Sequence, residues 1–128
     1  MTVKKLEFVV NGALCVVIRR DIRLEGEAAD YRIENPFNWQ GYVGITAATS
    51  ERWSPRLGWR DNAQRKEFFK VVPGGITFDQ ETLDLHLNSK NHNFPRWIGW
   101  DSDHSSTWHV DCSEAITHTI ALALALTK

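Results

Sequence analysis

The chain is poor in cysteine and proline, has a single methionine, carries almost no net charge and contains no long apolar run, and each shortage removes a class of protein. Cys15 and Cys112 are the only thiols in 128 residues, nearly a hundred positions apart, so the sequence predicts neither a disulfide scaffold nor a cysteine metal clip. Both read as small hydrophobes. Fifteen basic residues against sixteen acidic ones leave a net charge of -1, without the broad positive footprint that a duplex nucleic-acid binder needs. No apolar stretch approaches twenty residues, so no membrane span is expected. Met1-Thr2-Val3-Lys4-Lys5 runs directly into a strand-like pattern without an apolar leader, which predicts a cytoplasmic protein. The phosphate loop GxxxxGK[ST], the dinucleotide fingerprint GxGxxG and the zinc motif HExxH are all absent. No cofactor is implied.

What is present fits one compact domain over residues 1–128, a length that supports one continuous core but not two. Leu6-Glu7-Phe8-Val9-Val10 and Ala13-Leu14-Cys15-Val16-Val17-Ile18 flank Asn11-Gly12. Asn-Gly between β-favouring runs predicts a hairpin with a type I′ turn, because both central residues must take positive φ. In that register Leu6, Phe8, Val10, Ala13, Cys15 and Val17 share one apolar face. Gln40-Gly41-Tyr42-Val43-Gly44-Ile45 reads as a third strand whose glycines signal a bulge or a close backbone approach. Residues 46–61 read as a long irregular loop, residues 63–72 as a short helix or strand, and Gly75–Phe78 and Trp97–Trp100 as further strands. Asp111-Cys112-Ser113-Glu114 has capping-box spacing and predicts a helix over 113–126, with Ile116, Ile120, Ala123 and Leu124 on one face. Ala121 to Leu126 also alternates as a strand would, but its alanines and leucines favour helix. The expected fold is α+β: a mainly antiparallel sheet that begins with a β-hairpin and packs against a C-terminal helix.

Six tryptophans are far more than a chain of this size needs for a core, and an indole offers a wide π-face on which a base can stack. Trp97 and Trp100 sit in a strand pattern, whereas Trp53, Trp59 and Trp108 lie in polar stretches. Arginines are interleaved with them: Arg56 and Arg60 in the long loop, Arg96 before the last strand. Such a set can pair with phosphate while the indoles stack, helped by backbone amides near Gly74 and Gly75. Asp101, Asp103, His104, His109 and Asp111 form a second polar group, suited to ligand contacts, to a metal or acid/base centre, or to loop bracing and helix capping. Because neighbouring residues of an extended segment point to opposite sides, the five cannot all face one ion, and no metal set is assigned.

Four segments, Gly12-Ala13-Leu14-Cys15, Gly41-Tyr42-Val43-Gly44, Gly74-Gly75-Ile76-Thr77-Phe78 and Trp97-Ile98-Gly99-Trp100-Asp101-Ser102-Asp103-His104, occur in the order seen in a family of small phage and prophage proteins, which the chain resembles over nearly its whole length. Pro73 stands where that pattern has His, and Thr107 where it has its last Asp, so Asp101 and His104 alone match its polar positions. The resemblance implies a phage context in a bacterial cytoplasm, where small accessory proteins often counter host defences.

Read together, these features predict binding and sequestration of a small anionic, nucleotide-like signalling molecule, cyclic nucleotides among them. The expected ligand contacts are Trp53, Arg56, Trp59, Arg60, Gly74, Gly75, Arg96, Asp101, His104 and Trp108, with no catalytic residue assigned. Two other readings stand beside it. One is metal-dependent or acid/base hydrolysis of such a molecule, with Asp101, His104 and either Asp103 or His109 as ligands or acid/base groups. The other is docking on a host defence protein through exposed Trp and Arg. The sequence also admits a homo-oligomer.

Overall fold

The structure, a computed structural model, describes residues 3–21, 37–72, 74–83, 94–102 and 110–128. Pro73, Asp103, His104, Thr107, Trp108 and His109 lie outside the described residues, as does the stretch 88–93. The elements run β1 (Val3–Val10), β2 (Ala13–Asp21), β3 (Phe37–Ile45), α1 (Ala47–Ser50), α2 (Lys66–Phe69), β4 (Phe78–Gln80), β5 (Arg96–Asp101) and α3 (Cys112–Thr127). The five strands form one antiparallel sheet in the order β1-β2-β3-β5-β4. Among the described residues no helix is long and apolar enough to cross a membrane.

The opening hairpin follows from its turn. Asn11 and Gly12 take φ of 50° and 78°, and Val10 pairs with Ala13, so every later pair has its register set, down to Val3 opposite Arg20. Phe8 thereby faces Cys15 and Leu6 faces Val17, placing the apolar face where α3 covers it. The opposite face carries Leu14, Val16, Ile18, Tyr42 and Trp97, all buried, with Phe78, Leu83 and Phe94 packed against them. Trp97 and Trp100 are thus both core residues, on opposite faces of one strand. Gly75 precedes the sheet instead of entering it, since Gly74 and Gly75 both have positive φ; β4 starts only at Phe78.

At the start of α3 the Asp111 carboxylate accepts the Glu114 amide at 2.8 Å, and the Glu114 side chain returns to the Asp111 amide. That backbone bond is the chief reason the Asp111 carboxyl is held below its ordinary pKa. The whole of Ala121 to Leu126 is helical. Its buried face only partly matches the expected one: Ala123 is buried and Ile116 packs partly buried against the core, but Ala115, Thr119, Leu122 and Leu126 are the other buried residues and Leu124 is exposed. Where the helix passes Gly41 of β3, the residue it presents is the small Thr119. Trp100 Nε1 donates to Thr119 Oγ1 at 3.0 Å, Thr119 Oγ1 donates to the Ala115 carbonyl at 2.8 Å, and both groups occupy the space that a side chain at position 41 would fill. Gly41 therefore sets the distance between helix and sheet.

Adding one methyl group there should be costly. Gly41→Ala would drive its Cβ into Thr119 Oγ1 and Trp100 Nε1. The expected loss is about 2–3 kcal/mol, read as a fall in Tm of roughly 10 °C. Thiol titration offers a second check, because Cys15 is fully buried and burial pushes its pKa up to about 12, whereas Cys112 is exposed. Ellman's reagent should label one thiol in the native protein and both after denaturation.

Candidate functional site

The long loop after β3 has little regular structure, yet polar side chains fix it from two sides. From the sheet, Arg96 is 8% exposed and uses all three guanidinium nitrogens. Its Nε and Nη2 donate to the two Asp79 carboxylate oxygens at 2.8 and 2.6 Å. Nη1 donates to the carbonyls of Ser50 and Trp53, and Nη2 to that of Ser54 at 2.6 Å. Asp79 also accepts the Leu57 amide at 3.0 Å, and Leu57 is a fully buried anchor. Arg96 reaches this position because β5 begins with it and β4 sets Asp79 beside Ile98 on the same sheet face.

From the solvent side, Asn62 Nδ2 lies 2.8–3.1 Å from the Pro55 carbonyl, Ser54 Oγ and the Arg56 carbonyl. The Gln64 Oε1 accepts from both the amide and the hydroxyl of Ser54 at 2.7 Å. Trp53 ties the loop to the far end of α3: its Nε1 donates to the Leu126 carbonyl at 2.9 Å, and its ring meets Phe68 edge-on at 5.1 Å. The indole thereby satisfies one of the carbonyls that a helix C-terminus leaves open. Gly58 lies against the Ile76 carbonyl and joins the loop to the segment that follows Gly74 and Gly75.

Within this frame the loop holds Trp59 outward, 57% exposed, with the Arg56 guanidinium 4.4 Å from the ring centroid. Arg56 has φ of 60°, the left-handed region that costs a residue with a side chain on the order of 1 kcal/mol. Two open clefts meet at Arg56. One, of about 600 Å³, is lined by Trp53, Pro55, Asp79, Glu81 and Arg96 among others; the second, of about 640 Å³, by Trp59, Asp61 and Asn62. Arg52 and Arg60 are exposed in the same region.

Of the residues expected to contact a ligand, the structure brings Trp53, Arg56, Trp59 and Arg60 onto one loop. Arg96 joins them as the floor of a cleft, with its donors already engaged by the protein. Gly74 is exposed, whereas Gly75 is buried against the Phe69 ring. Asp101 stands elsewhere: it closes the other end of β5, about 17 Å along the strand from Arg96. There it accepts from Thr77 Oγ1 at 2.8 Å. It also raises the Tyr42 phenol, whose pKa goes to about 12 chiefly through burial. His104 and Trp108 lie outside the described residues, which hold no group of three His, Cys, Asp or Glu placed to bind a metal. Asp79, Asn62 and Gln64 were missed by sequence reasoning. Asn62 and Gln64 carry no motif, and Asp79 is one acid among several until β4 pairs with β5.

The arrangement predicts a clean division between support and display. Arg96→Ala would leave Asp79 buried without its partner, a loss of about 3–5 kcal/mol, with faster amide exchange across residues 50–57. Trp59→Ala should change stability by less than about 0.5 kcal/mol. Against family models, curated proteins and solved structures, the chain has no match.

Proposed function

We propose that this protein binds and sequesters a small anionic, nucleotide-like molecule on the loop around Arg56 and Trp59. One observation carries the reading: a large indole and a guanidinium are held together in solvent by a backbone in a costly conformation, on a loop fixed by buried and surface hydrogen bonds. Stacking on an aromatic face is worth about 1–3 kcal/mol per base, and little of that is lost to ordering when the platform is already rigid. Arg56 supplies positive charge on the platform for a phosphate, and Arg60 follows Trp59 directly in the chain and is exposed. In this reading Arg96 is a positioning residue for the loop, and Trp53 is its brace. The role against host defence, by withholding a signalling nucleotide, belongs to the same proposal and rests on the phage-family resemblance.

The test is titration with a set of cyclic and linear signalling nucleotides, followed by tryptophan fluorescence and calorimetry. A ligand should bind, be recovered chemically intact after heat denaturation, and lose roughly 5- to 150-fold in affinity in Trp59→Ala, with Tm unchanged. Arg56→Ala should weaken binding in proportion to the phosphate charge of the ligand. Binding unaffected by Trp59→Ala would remove the loop from the site. New products on incubation would replace sequestration with hydrolysis.

A further inference from the structure

The sheet has two edges of very different character. β4 is three residues long, whereas β1 is an uninterrupted strand of eight, and among the described residues no strand pairs with its outer side. An edge of that length offers a row of unpaired backbone groups to another strand. Lysine commonly guards such edges, but here Lys5 is followed two positions later by Glu7, on the same face and 3.1 Å away. Counting Lys4 the strand carries one net positive charge, but the Lys5 and Glu7 pair about Leu6 reads as its own complement when reversed.

We infer that β1 is the interface for a second copy of this chain, pairing antiparallel with itself about Leu6 to join two five-stranded sheets into one of ten. The hydrogen-bond phase of the hairpin selects the register. Because a two-residue turn closes on a hydrogen-bonded pair, Val10 and Ala13, the even-numbered residues of β1 direct their amides and carbonyls at β2. Residues 3, 5, 7 and 9 direct theirs outward. The three two-fold registers centred nearest the middle of the strand set Lys5 opposite Lys5, Glu7 opposite Glu7, or Leu6 opposite Leu6. The first two place like charges face to face, which is unfavourable. The third sets Lys5 opposite Glu7 of the second copy twice over, pairs residue 3 with Val9, and forms about eight backbone hydrogen bonds, the largest number of the three registers. A two-fold contact of this kind closes on itself and cannot propagate into a fibre.

The apolar surface agrees. Leu6 is 46% exposed and Val9 69% exposed. Leu6 borders an apolar slot of about 180 Å³ with Val17, Trp39, Cys112 and Ile116 in its wall. In the Leu6-centred register the two Leu6 side chains meet at a non-hydrogen-bonded pair, the closer of the two kinds, on the side of the sheet that carries α3. Each would cover the other beside its slot. The interface is at the opposite end of the sheet from β4 and the nucleotide-binding loop, so it stands or falls independently of that proposal.

Light scattering coupled to gel filtration, over a concentration series, should show the wild-type chain at twice its monomer mass. Glu7→Lys should weaken the dimer by about tenfold or more, since it sets two lysine pairs face to face, and adding Lys5→Glu should restore it. Register is tested by cross-linking in a Cys112→Ser background. Leu6→Cys should form an intermolecular disulfide on mild oxidation, because Cα atoms at such a pair lie about 4.5 Å apart. Val9→Cys should not, because its two copies would be about 20 Å apart. Circular dichroism on each variant separates a lost dimer from a lost fold, and the cysteine pair tests the interface even if Glu7→Lys unfolds. A monomer at every concentration, a dimer indifferent to Glu7→Lys in folded protein, or cross-linking at Val9 in place of Leu6 would overturn the inference.

Discussion

Arg96 and Asp79 form the contact on which the irregular half of this structure depends. A guanidinium has five N–H donors in a fixed plane, and burying it is tolerable only when nearly all of them find acceptors. Here the acceptors are one carboxylate and the carbonyls of Ser50, Trp53 and Ser54. Satisfying the charge and shaping the loop are thus one event. The loop cannot drift from its course without stranding a buried cation, and Asp79 extends the same constraint to the amide of Leu57. Trp53 adds a second tie to the end of α3.

The regular half is governed by close approach instead of charge. Gly41 lets the Trp100 indole and the Thr119 hydroxyl meet across the helix–sheet boundary, while Gly44 and Gly99 leave room for the Trp97 and Tyr42 rings on the other face. Large aromatic side chains and bare glycines are therefore two parts of one packing solution. Four of the six tryptophans are accounted for in this way or as braces: Trp97 and Trp100 by burial on opposite faces, Trp39 by burial against α3, Trp53 by its bond to Leu126. Trp59 has no such structural employment, and its exposure beside Arg56 is what makes it a candidate for contact with a ligand.

Where local chemistry decided the outcome, the sequence was legible. Asn11-Gly12 specifies a type I′ turn through its own φ angles, and from it follow the register of β1 on β2 and the burial of Cys15. Asp111 and Glu114 specify the start of α3 within one turn. The glycines of β3 signalled a bulge or a close approach, and the side chains that crowd Gly41 and Gly44 make it the close approach. The antiparallel α+β architecture follows from these signals in combination. The crowding of indoles and arginines into residues 53–60 was likewise visible in the sequence, since it is a matter of composition.

Other features were settled only by tertiary contacts, because their partners are far apart in the chain. Nothing near Arg96 distinguishes a ligand-binding arginine from a scaffold one, since its acceptors lie 17 to 46 residues away. Which residues of α3 are buried depended on how the helix meets Gly41, and periodicity alone grouped Ala123, which is buried, with Leu124, which is exposed. Asp101 is close in sequence to Arg96, yet an extended strand carries them to opposite ends of the sheet. The sequence by itself determined the Asn11-Gly12 turn with its β1–β2 pairing and the cap of α3, which are fixed within a few residues by backbone geometry. The tertiary structure decided which polar side chains are buried as supports and which are left in water, because burial depends on what the rest of the chain places around them.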